Sequence, residues 1–268
     1  MNRVLQIALF GFAGLLLAGC NDPEKDKRIW EQTKIADLAP SADAKDTTGK
    51  LLKTINFNIF IFDIPAENTS TLDGIWQMLY TKPLWFKDSN AFAANSFAVG
   101  FGQLDMWNKV SDLLRNAGGR KMEKVSVLLT DDQPDDINIG RLVRRQTIFY
   151  TPKSGSSEGK TAGPGKIALR IKARKSPTSR GVCDFDVVPV FLPPISTSIP
   201  ELAAREKAGE IVFTSCRLRA KMGPGDFILL GPQKYISPQV TLAGLLFSRP
   251  KPKPVIRTYL FVCTRIID

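Results

Sequence analysis

Lys166-Ile167-Ala168-Leu169-Arg170-Ile171-Lys172-Ala173-Arg174 alternates with a period of two. Ile167, Leu169, Ile171 and Ala173 fall on one side, and Arg170, Lys172 and Arg174 on the other. That period belongs to a strand with one dry and one wet face, which antiparallel sheets provide. From Ile137 onward the chain continues in short apolar stretches broken by glycine and proline, and only Pro200 to Ala208 keeps a helical spacing. Residues 131–268 are therefore expected to form a β-rich, mainly antiparallel module.

Residues 54–130 differ in pattern. Ile55 to Ile64 reads as a strand, followed by a turn through Asp63, Pro65 and Asn68. Ser70 or Thr71 can cap a helix whose stripe is Leu72, Ile75, Trp76, Leu79 and Tyr80. Ser96 to Phe101 is a second strand. Leu104, Trp107, Val110, Leu113 and Leu114 mark a second helix, closed by Gly118-Gly119. Lys124 to Leu129 is a third strand, with Leu128-Leu129 suggesting an end buried on both sides. The order strand–helix–strand–helix–strand implies a small α/β module, and the whole chain is expected to be α+β.

Charge and composition narrow the function. The chain carries a net charge of +11 and contains no histidine. The missing imidazole removes Ser-His-Asp and Cys-His catalysis and the HExxH zinc site, so no catalytic or metal-binding residue is assigned and an enzyme is not expected. The positive charge favours anionic partners. Arg141 to Arg180 holds eleven basic residues against one acid, Glu158, and Arg170, Lys172 and Arg174 are its candidate anion-binding residues. The alternative is that they form the solvated outer face of a sheet. Asp131-Asp132-Gln133-Pro134-Asp135-Asp136 lacks the spacing of a calcium loop and reads as an acidic turn. Gly155-Ser-Ser-Glu-Gly159-Lys160-Thr161 approaches a phosphate loop, and Ser157 to Lys160 spells Ser-x-x-Lys. Both need a following or enclosing helix, which Ala162-Gly163-Pro164-Gly165 forbids, so both read as chance matches in a loop.

At the other end, Asn2 and Arg3 precede an apolar run, Val4 to Leu17, that ends in Leu17-Ala18-Gly19-Cys20. The run is shorter than the ~20 residues of a membrane span and has the layout of a secretory signal. Its end resembles the lipobox of bacterial lipoproteins. That resemblance implies cleavage before Cys20, a diacylglycerol on the Cys20 sulfur and an acyl chain on its amino group, with no other cofactor. Residues 1–19 would be the signal peptide, and their loss would lower the net charge to +10. Residues 20–53 are polar and mixed in charge and read as a flexible tether, about 30 Å long on average and at most about 110 Å. The resemblance implies a protein held to a membrane of the cell envelope. By the lipoprotein sorting rule, Asn21 favours the outer membrane facing the periplasm over the inner membrane, and Asp22 weakens that preference. An exported chain rarely meets nucleic acid. Of the remaining cysteines, Cys183, Cys216 and Cys263, an oxidising compartment could pair two; Cys183 with Cys216 is the preferred pair, and three buried thiols are the alternative.

A second resemblance is to the closing strands of the secretin channel domain. It rests on Phe213 to Gly231 (strand, glycine turn, strand), on Thr241-Leu-Ala-Gly-Leu-Leu-Phe247 and on Tyr259 to Asp268. Phe62-Asp63-Ile64-Pro65-Ala66 is similar to the short α/β module at the entry to secretins and outer-membrane transporters. Cys263-Thr264-Arg265 lacks the family's proline, and Pro250-Lys-Pro-Lys-Pro254 replaces its usual loop. The resemblance implies a non-enzymatic part in a secretion or pilus-type assembly. An unrelated antiparallel sandwich that binds acidic cell-wall polymer or lipopolysaccharide is the alternative. The oligomeric state stays open.

Overall fold

A computed structural model describes residues 54–234, 240–250 and 253–267. The signal, Cys20 and the tether lie outside these residues. The described chain is built on two antiparallel sheets. The first contains β1 (Thr54–Pro65), β3 (Phe97–Gly102), β4 (Arg120–Thr130), β12 (Phe227–Pro232) and β14 (Val255–Ile267), in the order β3-β12-β14-β1-β4, with β13 (Ser248–Arg249) beside β14. The second contains β2 (Trp85–Phe86), β5 (Pro134–Leu142), β8 (Gly165–Lys175), β9 (Cys183–Leu192) and β11 (Leu218–Met222), in the order β2-β11-β9-β8-β5, with β10 (Ile211–Val212) beside β9. A hairpin of β6 (Gln146–Tyr150) and β7 (Glu158–Ala162) stands apart from both.

The sheets meet face to face through the residues that alternate inward. Phe57 of β1 stacks on Phe185 of β9 with ring centroids 4.4 Å apart, and Phe185 also meets Phe261 of β14 at 5.6 Å. Ile55, Ile59, Ile167, Leu169, Ile171 and Ala173 join the same core. β12 is buried on both faces. Its Ile228 and Leu230 point into the sandwich, while Phe227 is met edge-on by Trp107 of α3 (Trp107–Asn116). Helix α1 (Thr71–Met78) lies near the same outer side, where Trp76 comes so close to Gly231 that a Cβ there would sit 3.3 Å from its ring. α3 buries Trp107, Val110 and Leu114 at helical spacing and ends at Gly118, whose φ of +70° suits glycine.

This arrangement overturns the separate α/β module. β1, β3 and β4 do not close on one another: β1 lies between β14 and β4, and β12 and β14 stand between β1 and β3. Their ladders are antiparallel. The fold is therefore a mainly antiparallel β-sandwich with helices packed outside it, rather than an α/β module followed by a β module. The physical reason is that β14, far away in sequence, pairs with β1 along its full length, from Thr54 opposite Ile267 to Pro65 opposite Val255.

Other local readings change as well. Leu128 is exposed, because Val125, Val127 and Leu129 take the inward face of β4 and Leu128 falls on the other. The stretch read as a loop through Lys160 contains strand β7. Helix α2 (Ser89–Ala94) was not expected; Asp88 starts it by accepting the Ala91 N–H at 2.8 Å. The turn at Gly223-Pro224-Gly225 does not close a hairpin, since β11 and β12 belong to different sheets. It carries the chain across the sandwich, with Gly225 at φ +91° donating its N–H to the Cys263 carbonyl at 2.8 Å. The Thr241–Phe247 segment is a capped helix, α5 (Leu242–Phe247), with Thr241 Oγ1 accepting the Gly244 N–H.

Cys183, Cys216 and Cys263 are free and buried in the structure, the alternative to a Cys183–Cys216 pair. The Cys183 side chain hydrogen-bonds to Cys263 across the sandwich, and that contact together with burial pushes the Cys263 thiol up. The Cys216 thiol lies 3.9 Å from Ser215 Oγ, and burial pushes it up to about 12. A thiol that stays protonated and inaccessible is a poor nucleophile. Iodoacetamide at pH 8 should therefore leave all three unlabelled in the folded protein and label them after denaturation. Mass spectrometry checks this, and labelling of Cys216 in the native protein would contradict its placement.

Candidate functional site

The outward face of the second sheet carries the charge. On β8, Arg170, Lys172 and Arg174 point away from the core, as the alternation predicts. β9 and β11 alternate in the same way, which brings Asp184 and Asp186 of β9 and Arg219 and Lys221 of β11 onto this face. The register sets them in two rows. One runs Trp85, Arg219, Asp186, Lys172, and the next runs Lys221, Asp184, Arg174. Directly opposed residues have Cβ atoms about 5 Å apart, so each acid stands between two bases.

The three residues singled out on β8 do not share one role. Arg170 is held from both sides: Nε and Nη2 donate to Asp136 at 2.8 and 2.9 Å, and Nη1 and Nη2 donate to Glu210 at 2.5 and 3.1 Å. The Asp136 hydrogen bonds, then those from Glu210, raise its pKa further. Arg170 is a structural clasp that ties β5 and the residue before β10 to β8. Lys172 pairs with Asp132 at 2.9 Å. Arg174 is exposed and has no ion-pair partner among the described residues. The acidic turn thus has structural partners. Asp132 and Asp136 meet the basic strand, and Asp131 accepts the Lys175 N–H at 2.8 Å.

Beside the clasp the face opens into a cleft of about 500 Å³. Its floor is the two charged rows, and Pro83 and Trp85 stand on one side with Asp132 on the other. Lys172, Arg174, Arg217, Arg219 and Lys221 face three aspartates in it, so cations are in excess. Asp186, only 14% exposed, organises the centre. Arg217 Nε lies 2.9 and 2.8 Å from its two oxygens, and Arg219 Nε donates to Oδ2 at 2.8 Å. One carboxylate thereby orients two guanidinium groups, and the Arg219 terminal nitrogens are left for a ligand. Lys221, like Arg174, has no ion-pair partner among the described residues. Trp85 is 73% exposed at the margin.

Sequence reading missed Arg217, Arg219, Lys221, Asp184, Asp186 and Trp85. A signal was present: Asp184-Phe-Asp186 and Arg219-Ala-Lys221 alternate around buried residues with opposite charges. Their adjacency depends on a register that the sequence does not state.

The lining contains no serine, threonine, cysteine, tyrosine or histidine, so a side-chain hydroxyl, thiol or imidazole nucleophile is absent from it. Among the described residues no group of three or more His, Cys, Asp or Glu could hold a metal ion, and no helix is long and apolar enough to cross a membrane.

No protein-family model matches the chain, and no curated protein does. Solved structures similar to it include the following two. One is the secretin domain β-barrel of InvG from the Salmonella SPI-1 injectisome, 15% identical, with a TM-score of 0.27 and coverage of 81% of this chain and 64% of that one. The other is the type IV competence pilus secretin PilQ of V. cholerae, 10% identical, with a TM-score of 0.18 and coverage of 80% and 58%. This chain thus spans less than two thirds of either protein. At TM-scores this low, neither likeness carries the fold or the role of those proteins over to this chain.

The division of labour on β8 can be tested directly. Arg170→Ala leaves two carboxylates facing each other without their cation and should cost about 3 kcal/mol of stability, read as a lowered midpoint of denaturant unfolding. Arg174→Ala and Lys221→Ala, both exposed, should each stay within about 0.5 kcal/mol of wild type.

Proposed function

We propose that this chain is a lipid-anchored, non-enzymatic binding component of the bacterial cell envelope, and that its partner is an acidic envelope polymer held in the cleft on the second sheet. The observation that carries the reading is the surplus of oriented cations there. Arg219 is aimed by Asp186, and Arg174 and Lys221 have no ion-pair partner among the described residues, in a concave site where five cations face three aspartates. Anchoring is proposed at Cys20, where a diacylglycerol and an N-acyl chain would hold the protein stably, since one chain alone binds a bilayer only marginally. The mixed-charge tether would let the folded part reach away from the membrane. The outer membrane, with the protein facing the periplasm, is the proposed location.

Two measurements test this. Radiolabelled palmitate should enter the wild-type protein and not the Cys20→Ala form, and the latter should leave the membrane fraction. A crosslinked pull-down from intact envelopes should recover acidic polymer that raised salt releases, because exposed charge contacts are screened. Replacing Arg174, Arg219 and Lys221 together by alanine should abolish the recovery. A salt-resistant complex with ring-forming channel subunits would transfer the reading to a secretion assembly, the role that the strand pattern of Phe213 to Gly231 implies.

A further inference from the structure

The composition of the cleft distinguishes between acidic ligands. A peptide of glutamates, or a polyphosphate, presents only negative charge and would meet three aspartates as well as five cations. Asp184 and Asp186 sit between the bases in both rows, not at the margin. A polyanion following the Arg219 and Lys221 side chains would therefore run beside carboxylates, which repel it.

A ligand that suits acids and bases set side by side needs hydroxyl groups as well as an acid. Hydroxyls donate to aspartate and accept from lysine or arginine, so each row can be used fully. A pyranose ring also has an apolar C–H face, and a flat aromatic side chain at the rim of a cleft is its natural support. Trp85 is such a group. Its indole is 73% exposed, although tryptophan is costly to leave in water. Its backbone pairs with Arg219 in β11, which fixes the ring one strand away from the oriented guanidinium. A ring resting on Trp85 thus places its substituents over Arg219 and Lys221. The volume of about 500 Å³ lies in the range of small-ligand sites and accommodates a few sugar units.

We infer that the cleft recognises an acid-bearing saccharide: one pyranose lies on Trp85, its carboxylate or other acid group binds Arg219 and Lys221, and its hydroxyls bond the neighbouring aspartates. Arg174, one row further and also without an ion-pair partner among the described residues, takes the acid of the next unit. This rests on the proposed anion-binding role of the same cleft and adds the chemical class of the ligand.

The test uses the full chain in detergent micelles with three probes: trigalacturonate, neutral galactotriose and a tetraglutamate peptide. Trigalacturonate should bind and change the tryptophan fluorescence, and both other probes should bind at least about tenfold more weakly. Trp85→Ala should weaken trigalacturonate about tenfold at an unchanged unfolding midpoint, since the exposed indole contributes little to the fold. Arg219→Ala should weaken trigalacturonate and leave galactotriose unaffected. Equal binding of tetraglutamate, or full affinity in Trp85→Ala, overturns the saccharide assignment and leaves the cleft as a general anion site. Binding of none of the three probes overturns both readings.

Discussion

The pairing of β1 with β14 is the constraint on which the rest of the molecule depends. It runs along both strands, and its Asp63–Arg257 pair closes a span of 194 residues with hydrogen bonds of 2.7 and 3.0 Å. With those two strands at the middle of the first sheet, β12 and β4 can only add on either side, and β3 can only lie beyond β12. The second sheet must then cover the face that presents Phe57 and Phe261. Phe185 does so directly, and the charged face of β8, β9 and β11 is left pointing outward. The charged cleft is thus a consequence of which side of the second sheet the core has claimed.

Electrostatics on that outward face follow a simple rule. Adjacent strands carry opposite charges: acid on β5, base on β8, acid on β9, base on β11. Most of this charge is spent within the sheet, as with Arg170 between Asp136 and Glu210. Cross-strand pairs of this kind favour one register over a slip, because a shift by one residue would turn the charges into the core. What remains is a local excess where β11 lies next to β2, and there the first row ends at Trp85. A strand of only two residues leaves the margin of the sheet open, so the excess coincides with the accessible end.

Much of the local structure was legible from the chain. The period-two pattern of Ile167 to Ala173 fixed the inward face of β8, and the spacing of Trp107, Val110 and Leu114 with Gly118 placed α3. These signals are local, since each depends on neighbours a few residues away. Strand order was not legible, because Ile55 to Ile64 would alternate identically beside any partner. The α/β expectation failed for that reason: strands and helices do alternate along 54–130, but one of the two partners of β1 lies beyond residue 254. Of the candidate site, β8 alone was visible. Its three basic residues looked equivalent because the acids that separate them arrive from the turn before β5, from β5 itself and from the segment before β10. The buried thiol contact of Cys183 with Cys263 was hidden in the same way, since only the stacking of the two sheets brings those positions opposite each other.

The central position of β14 has a bearing on how the chain is made. Its inner strand is the last to appear in sequence order, so a growing chain has no complete first sheet until that segment has been synthesised. Contacts of such long range slow the search for the native state. Until β14 is available, β1 and β12 lack the strand that joins them, so the first sheet stays in two pieces.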